Sequence, residues 1–274
     1  MTTLASIPSP PWNSIPIGPF EIHVYGLLIG IGVILSMTVT VNRYAETEEE
    51  RQTLERILVW AVVLGFLGAR IAYVSTHLAR FEGEWWKVIA IWEGGLALFG
   101  GLTVGTITAV LMIRRAGGDP LRLMDAAAVG IPLAQAIGRW GNYFNQELFG
   151  TPSDLPWAVE IAPRFRPEAF PDAPTFHPTF LYESLWNLVL VIPLLLWLER
   201  RGRLPTGGLF MVYAVLYGVG RFSLELIRTD TTFRLLGISR NGWVSVLVIG
   251  GALGVLAALY RGDRRRHDGD RVVR

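Results

Sequence analysis

The chain of 274 residues contains no cysteine, one lysine and four histidines. Without cysteine it has neither a disulfide framework nor a thiol nucleophile of its own. No metal-ligand cluster or nucleotide-binding motif is visible, so we predict no cofactor and no metal. The positive charge is almost all arginine, much of it in short loops, and no basic face of a soluble domain stands out. This pattern argues against a nucleic-acid partner.

Charge is also scarce, at 18% of residues, whereas apolar residues make up 51% and the mean hydropathy is +0.38. Several apolar runs reach the ~20 residues that cross a bilayer. The sequence therefore predicts an all-α polytopic membrane protein rather than a soluble enzyme. We predict seven spans, at Ile22–Val41, Leu54–His77, Ile91–Ile113, Leu123–Ile137, Thr179–Leu198, Gly207–Ile227 and Trp243–Tyr260.

Residues 1–20 contain no Lys or Arg, so they lack the positive region of a secretory signal peptide. We expect the first span to be retained, with the N-terminus outside and the C-terminus in the cytoplasm. This orientation places 14 of the 25 Lys and Arg residues on the cytoplasmic side, as the positive-inside rule favours. We expect one integral membrane domain over 1–274. Within it, 151–178 forms a small extracytoplasmic cap of loops and short strands, and 261–274 forms a basic cytoplasmic tail.

A polar stretch, Gly138–Gly150, follows directly on the fourth apolar run and includes Arg139, Asn142, Asn145 and Glu147. Fixed polar groups beside hydrocarbon are costly unless they bind something or pair with each other. The glycines allow tight turns and close approach to a ligand. An arginine fork matches a phosphate or carboxylate, and asparagine amides add donors and acceptors. The stretch predicts a site for an anionic group at the membrane edge, although an arginine at a helix end can also snorkel to the interface.

A second polar group lies in the sixth predicted span, where Tyr217, Arg221 and Glu225 are spaced four residues apart. This spacing puts the three side chains on one helix face. The pattern also fits an Arg221–Glu225 ion pair that only joins helices. Tyr25, near the start of the first span, has a similar alternative as a tyrosine of the interfacial belt.

The polar stretch resembles the signature of the bacterial prolipoprotein diacylglyceryl transferase family, Gly-Arg-x-Gly-Asn-x-x-Asn-x-Glu-x-x-Gly. Every fixed position is filled, by Gly138, Arg139, Gly141, Asn142, Asn145, Glu147 and Gly150. The resemblance extends over nearly the whole chain, at Tyr25, Arg70, Trp92-Glu93-Gly94-Gly95, His177-Pro178, Tyr182-Glu183 and the Tyr217, Arg221, Glu225 element. One departure is Phe99, which stands where some relatives carry a histidine.

The resemblance implies an enzyme that moves the diacylglyceryl group of phosphatidylglycerol to the thiol of a lipobox cysteine in a preprolipoprotein, releasing glycerol phosphate. Its partners would be that lipid, that signal peptide and the bilayer of the bacterial cytoplasmic (inner) membrane. The catalytic positions that it implies are Arg139, Arg221, Glu147 and Glu225. The substrate-binding positions are Arg139, Asn142, Asn145, Tyr25, Tyr217, Arg70, Gly138, Gly150, His177, Tyr182 and Glu183.

Two other functions compete with this interpretation. A polytopic lipid or anion transporter would place Arg139 and Arg221 in its path, but the polar stretch has no second copy, although transporters often contain internal repeats. A lipid head-group hydrolase would need a nucleophile or metal ligands that the sequence does not offer.

The identity of a general base is open. His23, His77, His177 and His267 are the four histidines of the chain, and His177 is the one that matches a family position near the site. His177 can equally order the cap against the fifth span, where Pro178 and Glu183 suit a helix start. Because Phe99 replaces the histidine of some relatives, we hypothesise that no histidine of this chain is an obligatory base.

Overall fold

The computed structural model describes residues 6–18, 20–91, 94–229 and 234–272. Within these residues, seven long helices account for most of the chain. They are α1 (Val24–Tyr44), α2 (Glu48–Thr76), α3 (Leu98–Arg115), α4 (Pro120–Asn145), α5 (Thr179–Arg200), α6 (Gly208–Glu225) and α7 (Arg240–Val272). Six of them are long and apolar enough to cross a membrane, and α6 is the exception because it carries Arg221 and Glu225. The all-α polytopic prediction is confirmed.

The start of α2 differs from the prediction, which began the second span at Leu54. The helix begins at Glu48 instead of Leu54. Thr47 caps it, since the Thr47 hydroxyl accepts a hydrogen bond from the Glu50 amide at 3.2 Å. Three glutamates in the first turn also interact favourably with the helix dipole.

The third span also begins later than predicted, at Leu98 rather than Ile91. Gly94 and Gly95 adopt positive φ angles of 82° and 75°, which a helix does not accommodate. Trp92 and Glu93 of the predicted motif lie outside the described residues.

In the part of the chain that the structure describes, three short two-stranded antiparallel sheets accompany the helices. They pair β1 (Ser14–Ile17) with β2 (Phe20–His23), β3 (Val159–Glu160) with β4 (Thr175–Phe176), and β5 (Arg234–Leu235) with β6 (Ile238–Ser239). The first span was predicted from Ile22, but Ile22 pairs with Ile15 in the first hairpin, and α1 begins at Val24.

The predicted cap segment, 151–178, contains β3, β4 and loops. A small core stabilises it, made of Phe149, Val159, Ile161, Phe176 and Phe180. The N-terminal segment adds to this layer, because the Ile7 amide donates to Ala158 O at 2.8 Å and the Glu160 amide donates to Ile7 O at 2.9 Å. No sequence pattern predicted that pairing. The predicted basic tail continues α7 as far as Val272.

The chain divides into two compact units, one of the described residues of Met1–Val39 with Met124–Arg274 and one of Thr40–Leu123. In the smaller unit α2 packs against α3 through glycines. A Cβ at Gly68 would lie 2.5 Å from Val104 Cγ2, and one at Gly100 would lie 2.4 Å from Ala72 Cβ. Small residues of this kind let membrane helices approach closely.

In the larger unit, α4, α5 and α6 share a buried core that includes Ala128, Leu195 and Tyr213. A carboxylate on α4 fixes the start of α6. Asp125 accepts hydrogen bonds from the amides of Gly207 at 2.6 Å and Phe210 at 3.0 Å. It thereby caps a helix whose own N-cap residue, Gly207, has no side chain to do so.

Candidate functional site

Four charged side chains from three helices of the larger unit form one cluster. Arg139 Nε on α4 lies 2.5 Å from Glu183 Oε2 on α5. Arg221 Nη1 on α6 lies 3.9 Å from Glu183 Oε1, and its Nη2 lies 3.0 Å from Glu225 Oε2. Glu183 therefore stands between the two arginines that the sequence singled out. The side chains are 25% exposed for Arg139, 15% for Arg221 and 12% for Glu183, so solvent screens these charges only partly.

Glu225 is the most enclosed member of the cluster, with a side chain that is 3% exposed. Its Oε1 accepts a hydrogen bond from Ser239 Oγ at 2.9 Å and one from Asn241 Nδ2 at 3.4 Å. Those contacts fix the Glu225 carboxylate, which in turn contacts Arg221 Nη2. The Arg221–Glu225 ion pair that the sequence left as an alternative is therefore present, and it also orients the Arg221 guanidinium.

Glu147, which the resemblance implies to be catalytic, is bound by two asparagine side chains. Its Oε1 accepts hydrogen bonds from Asn142 Nδ2 at 2.9 Å and Asn145 Nδ2 at 3.1 Å. Asn142 Oδ1 in turn accepts one from Arg139 Nη1 at 3.4 Å. Glu147 is therefore connected to Arg139 through Asn142.

Two glycines of the signature lie in a helix, although their conformational freedom would also allow a tight turn. Gly138 and Gly141 are helical residues of α4. A Cβ at Gly141 would lie 2.2 Å from Tyr25 Cδ2, so this glycine admits the Tyr25 ring of α1 against α4. The turn after α4 uses Gln146 and Leu148 instead, with positive φ angles of 52° and 58°.

Gly150 closes the signature where three segments meet. A Cβ there would lie 2.9 Å from His177 Cβ and 3.0 Å from Ile227 O. Its amide donates to His177 O at 2.9 Å. His177 Nδ1 lies 3.0 Å from Tyr182 Oη, which also accepts a hydrogen bond from Trp157 Nε1 at 3.0 Å. These contacts order the cap against the first turn of α5.

Arg70 and Phe99 belong to the smaller unit. Arg70 is buried, at 6% exposed, and donates to the carbonyls of Val88 at 2.8 Å, Gly94 at 2.5 Å and Gly95 at 3.0 Å, and also to that of Lys87. The resemblance implies that Arg70 binds substrate. In the structure its donors hold the backbone that leads into α3. Phe99 is exposed.

A small cavity lies beside the cluster, between α4, α5 and α6. Tyr217 and Arg221 line it, as does Gln135, which sequence reasoning missed because a single amide in an apolar helix has no diagnostic spacing. Among the described residues, no group of three or more His, Asp or Glu side chains is placed to hold a metal ion.

The model of the prolipoprotein diacylglyceryl transferase family matches residues 13–258 of this chain. A phosphatidylglycerol–prolipoprotein diacylglyceryl transferase of Frankia alni is 45% identical over 260 residues, which are 94% of this chain and 68% of that protein. Enzyme 2 of the same name from Streptomyces coelicolor is 39% identical over 269 residues, covering 97% of this chain and 83% of that protein. The one from Cutibacterium acnes is 38% identical over 259 residues, covering 93% and 87%.

Proposed function

The chain belongs to the prolipoprotein diacylglyceryl transferase family, and from that premise we propose its reaction and the roles of its residues. It is a multi-pass membrane transferase that acts on a lipid and a protein substrate. It transfers the diacylglyceryl group of phosphatidylglycerol to the thiol of a preprolipoprotein and releases glycerol phosphate, the first step of lipoprotein maturation. The acceptor is the lipobox cysteine of the signal peptide, consistent with an enzyme that has no cysteine of its own.

The observation that carries the site assignment is the approach of Arg139 and Arg221 to one another across Glu183. In the reaction a sulfur–carbon bond forms at the diacylglyceryl CH₂, and the bond from that carbon to the phosphate oxygen breaks. The electron pair of the broken bond goes to the phosphate, where negative charge grows. Guanidinium groups that are already in place stabilise that charge best in a site of low exposure.

The cluster contains two arginines and two carboxylates, so it does not attract an anion by excess charge. Glu225 engages Arg221 Nη2. Arg221 Nη1 is buried and has no hydrogen-bond partner among the described residues. It is therefore the donor that a phosphate oxygen takes, while Arg139 is shared between the phosphate and Glu183. In this scheme Glu183 and Glu225 fix the positions of the two guanidinium groups. Asn142 also positions Arg139, by accepting a hydrogen bond from its Nη1.

The thiol proton needs no dedicated histidine in this proposal. A free thiol, with a pKa of about 8.5, is a few per cent thiolate near pH 7, and neighbouring arginines raise that fraction. His177 instead orders the cap through Tyr182.

For the membrane we propose the bacterial inner membrane, with the N-terminus outside and the C-terminus cytoplasmic. The distribution of Lys and Arg supports this orientation.

The test is to incubate the purified protein with phosphatidylglycerol and a peptide that contains a lipobox cysteine. We expect the peptide to gain the mass of one diacylglyceryl group, and a peptide with serine at that position to stay unmodified. Free diacylglycerol with an unmodified peptide would indicate a hydrolase. Movement of the lipid between leaflets without either product would indicate a transporter. Either outcome would contradict the proposal.

A further inference from the structure

The cavity beside the charged cluster is lined by two buried polar atoms, and the proposed reaction gives a role to only one of them, Arg221 Nη1. Gln135 and Arg221 line it from α4 and α6. Gln135 Oε1 and Arg221 Nη1 are both buried, and neither has a hydrogen-bond partner among the described residues. A buried polar group without a partner costs folding free energy, so such groups are uncommon unless a water or a ligand satisfies them.

Two other donors of the cavity wall already have partners. Trp186 Nε1 donates to Leu216 O at 3.2 Å, and Asn187 Nδ2 donates to Glu183 O at 3.0 Å.

Two other parts of the cavity wall have unusual local structure. Residues Trp186–Val191 of α5 form a π-helical segment, a feature that often marks functional sites. Gly220 on α6 faces it, and a Cβ there would lie 2.5 Å from Trp186 Nε1. These residues bring α5 and α6 together around a space of limited size.

A ligand that satisfies both atoms must offer an acceptor to Arg221 and a donor to Gln135 within one small group. A phosphate ester whose alcohol carries a further hydroxyl has this combination. We infer that Gln135 Oε1 accepts a hydrogen bond from a hydroxyl of the lipid's head-group glycerol while Arg221 Nη1 donates to its phosphate. This inference rests on the proposed function and makes Gln135 a residue that selects the head group.

The experiment compares two lipids that differ only in head-group hydroxyls. Phosphatidylglycerol carries two of them, and phosphatidylpropanol has the same phosphate, charge and carbon number but none. The kcat/KM of peptide modification is measured with each lipid for the wild type, for Gln135→Leu and for Gln52→Leu. Gln52 is a matched control because it lies in the first turns of α2 and its amide bonds only Glu48 among the contacts described.

We expect the wild type and Gln52→Leu to prefer phosphatidylglycerol by roughly tenfold to a hundredfold, the range for one buried hydrogen bond. Gln135→Leu should lose that preference by using phosphatidylglycerol more slowly, while its rate with phosphatidylpropanol stays within about twofold of the wild type. Gln135→Met, which has nearly the length of glutamine and no amide, replaces the leucine variant if the latter does not insert.

Two results would overturn the inference. An equal loss of rate with both lipids would show that Gln135 acts only in packing, and an unchanged preference would show that a fixed water satisfies the cavity. Both differ from a failure of the proposed function, in which the wild type would modify the peptide with neither lipid.

Discussion

Replacing Arg139 with lysine tests the phosphate site while it keeps the positive charge. Arg139 Nε lies 2.5 Å from a Glu183 carboxylate oxygen, and Arg139 Nη1 donates to Asn142 Oδ1 at 3.4 Å. Both nitrogens belong to the planar guanidinium, so the directions of the two contacts are fixed relative to each other. A lysine ammonium is a single point on a flexible stem. It cannot engage Glu183, Asn142 and a phosphate oxygen in the same geometry, so at least one charge-assisted hydrogen bond is lost.

Such a bond contributes roughly 1.5–3 kcal/mol. The expected loss in kcat/KM for Arg139→Lys is therefore roughly 10- to 150-fold. The assay follows peptide modification by mass spectrometry, with thermal unfolding of each purified variant as the check on folding. Arg164→Lys is the matched control, because Arg164 is exposed in the cap and its guanidinium lies over the Phe165 ring, 4.7 Å from the centroid. We expect it to stay near the wild type. A folded Arg139→Lys variant with wild-type kcat/KM would refute the reasoning and leave Arg139 as an interfacial anchor.

Three further predictions follow from single contacts. Arg221→Lys should also lose roughly 10- to 150-fold in kcat/KM, because lysine cannot hold Glu225 and still present a second donor; wild-type turnover would remove Arg221 from the site. Asp125→Ala should lower the stability of the protein by about 1–2 kcal/mol, seen as a lower Tm, because α6 loses its cap; an unchanged Tm would contradict that role. His177→Gln should keep an unchanged pH profile and lose far less than the roughly 10²–10⁴-fold of a missing general base, and a loss of that size in a folded variant would identify His177 as the base.

Hydropathy predicted where the helices lie but not where they begin. The α2 start at Glu48 depends on the Thr47 cap and on the acidic first turn, and an average over apolar residues cannot detect either. The late start of α3 has a different cause. Gly94 and Gly95 have positive φ angles, so a helix cannot continue through them although the run looks apolar.

The residues of the charged cluster were predictable, but their arrangement was not. The signature identified Arg139 and the four-residue spacing identified Arg221, whereas Glu183 looked like a favourable charge near a helix start. Its contact with both arginines depends on how α5 packs between α4 and α6, and no local pattern encodes that packing. The same holds for Gln135, whose significance lies in the cavity that it lines.

Glycine roles were the least predictable from sequence. Gly141 suggested a turn or a ligand contact, and instead it lets the Tyr25 ring pack against α4. The turn that follows is made by Gln146 and Leu148, residues that sequence reasoning would not place at positive φ. A glycine in a membrane protein can therefore indicate close packing of two helices as well as a turn.

The central claim is that the protein joins a thiol to the diacylglyceryl carbon while glycerol phosphate leaves. The most direct measurement is the amount of modified peptide and the amount of glycerol phosphate formed over one time course with purified protein, phosphatidylglycerol and a lipobox peptide. The account predicts that the two rise together in a one-to-one ratio, and that both fall in parallel for Arg139→Lys. Glycerol phosphate that appears without modified peptide, or modified peptide without glycerol phosphate, would contradict it.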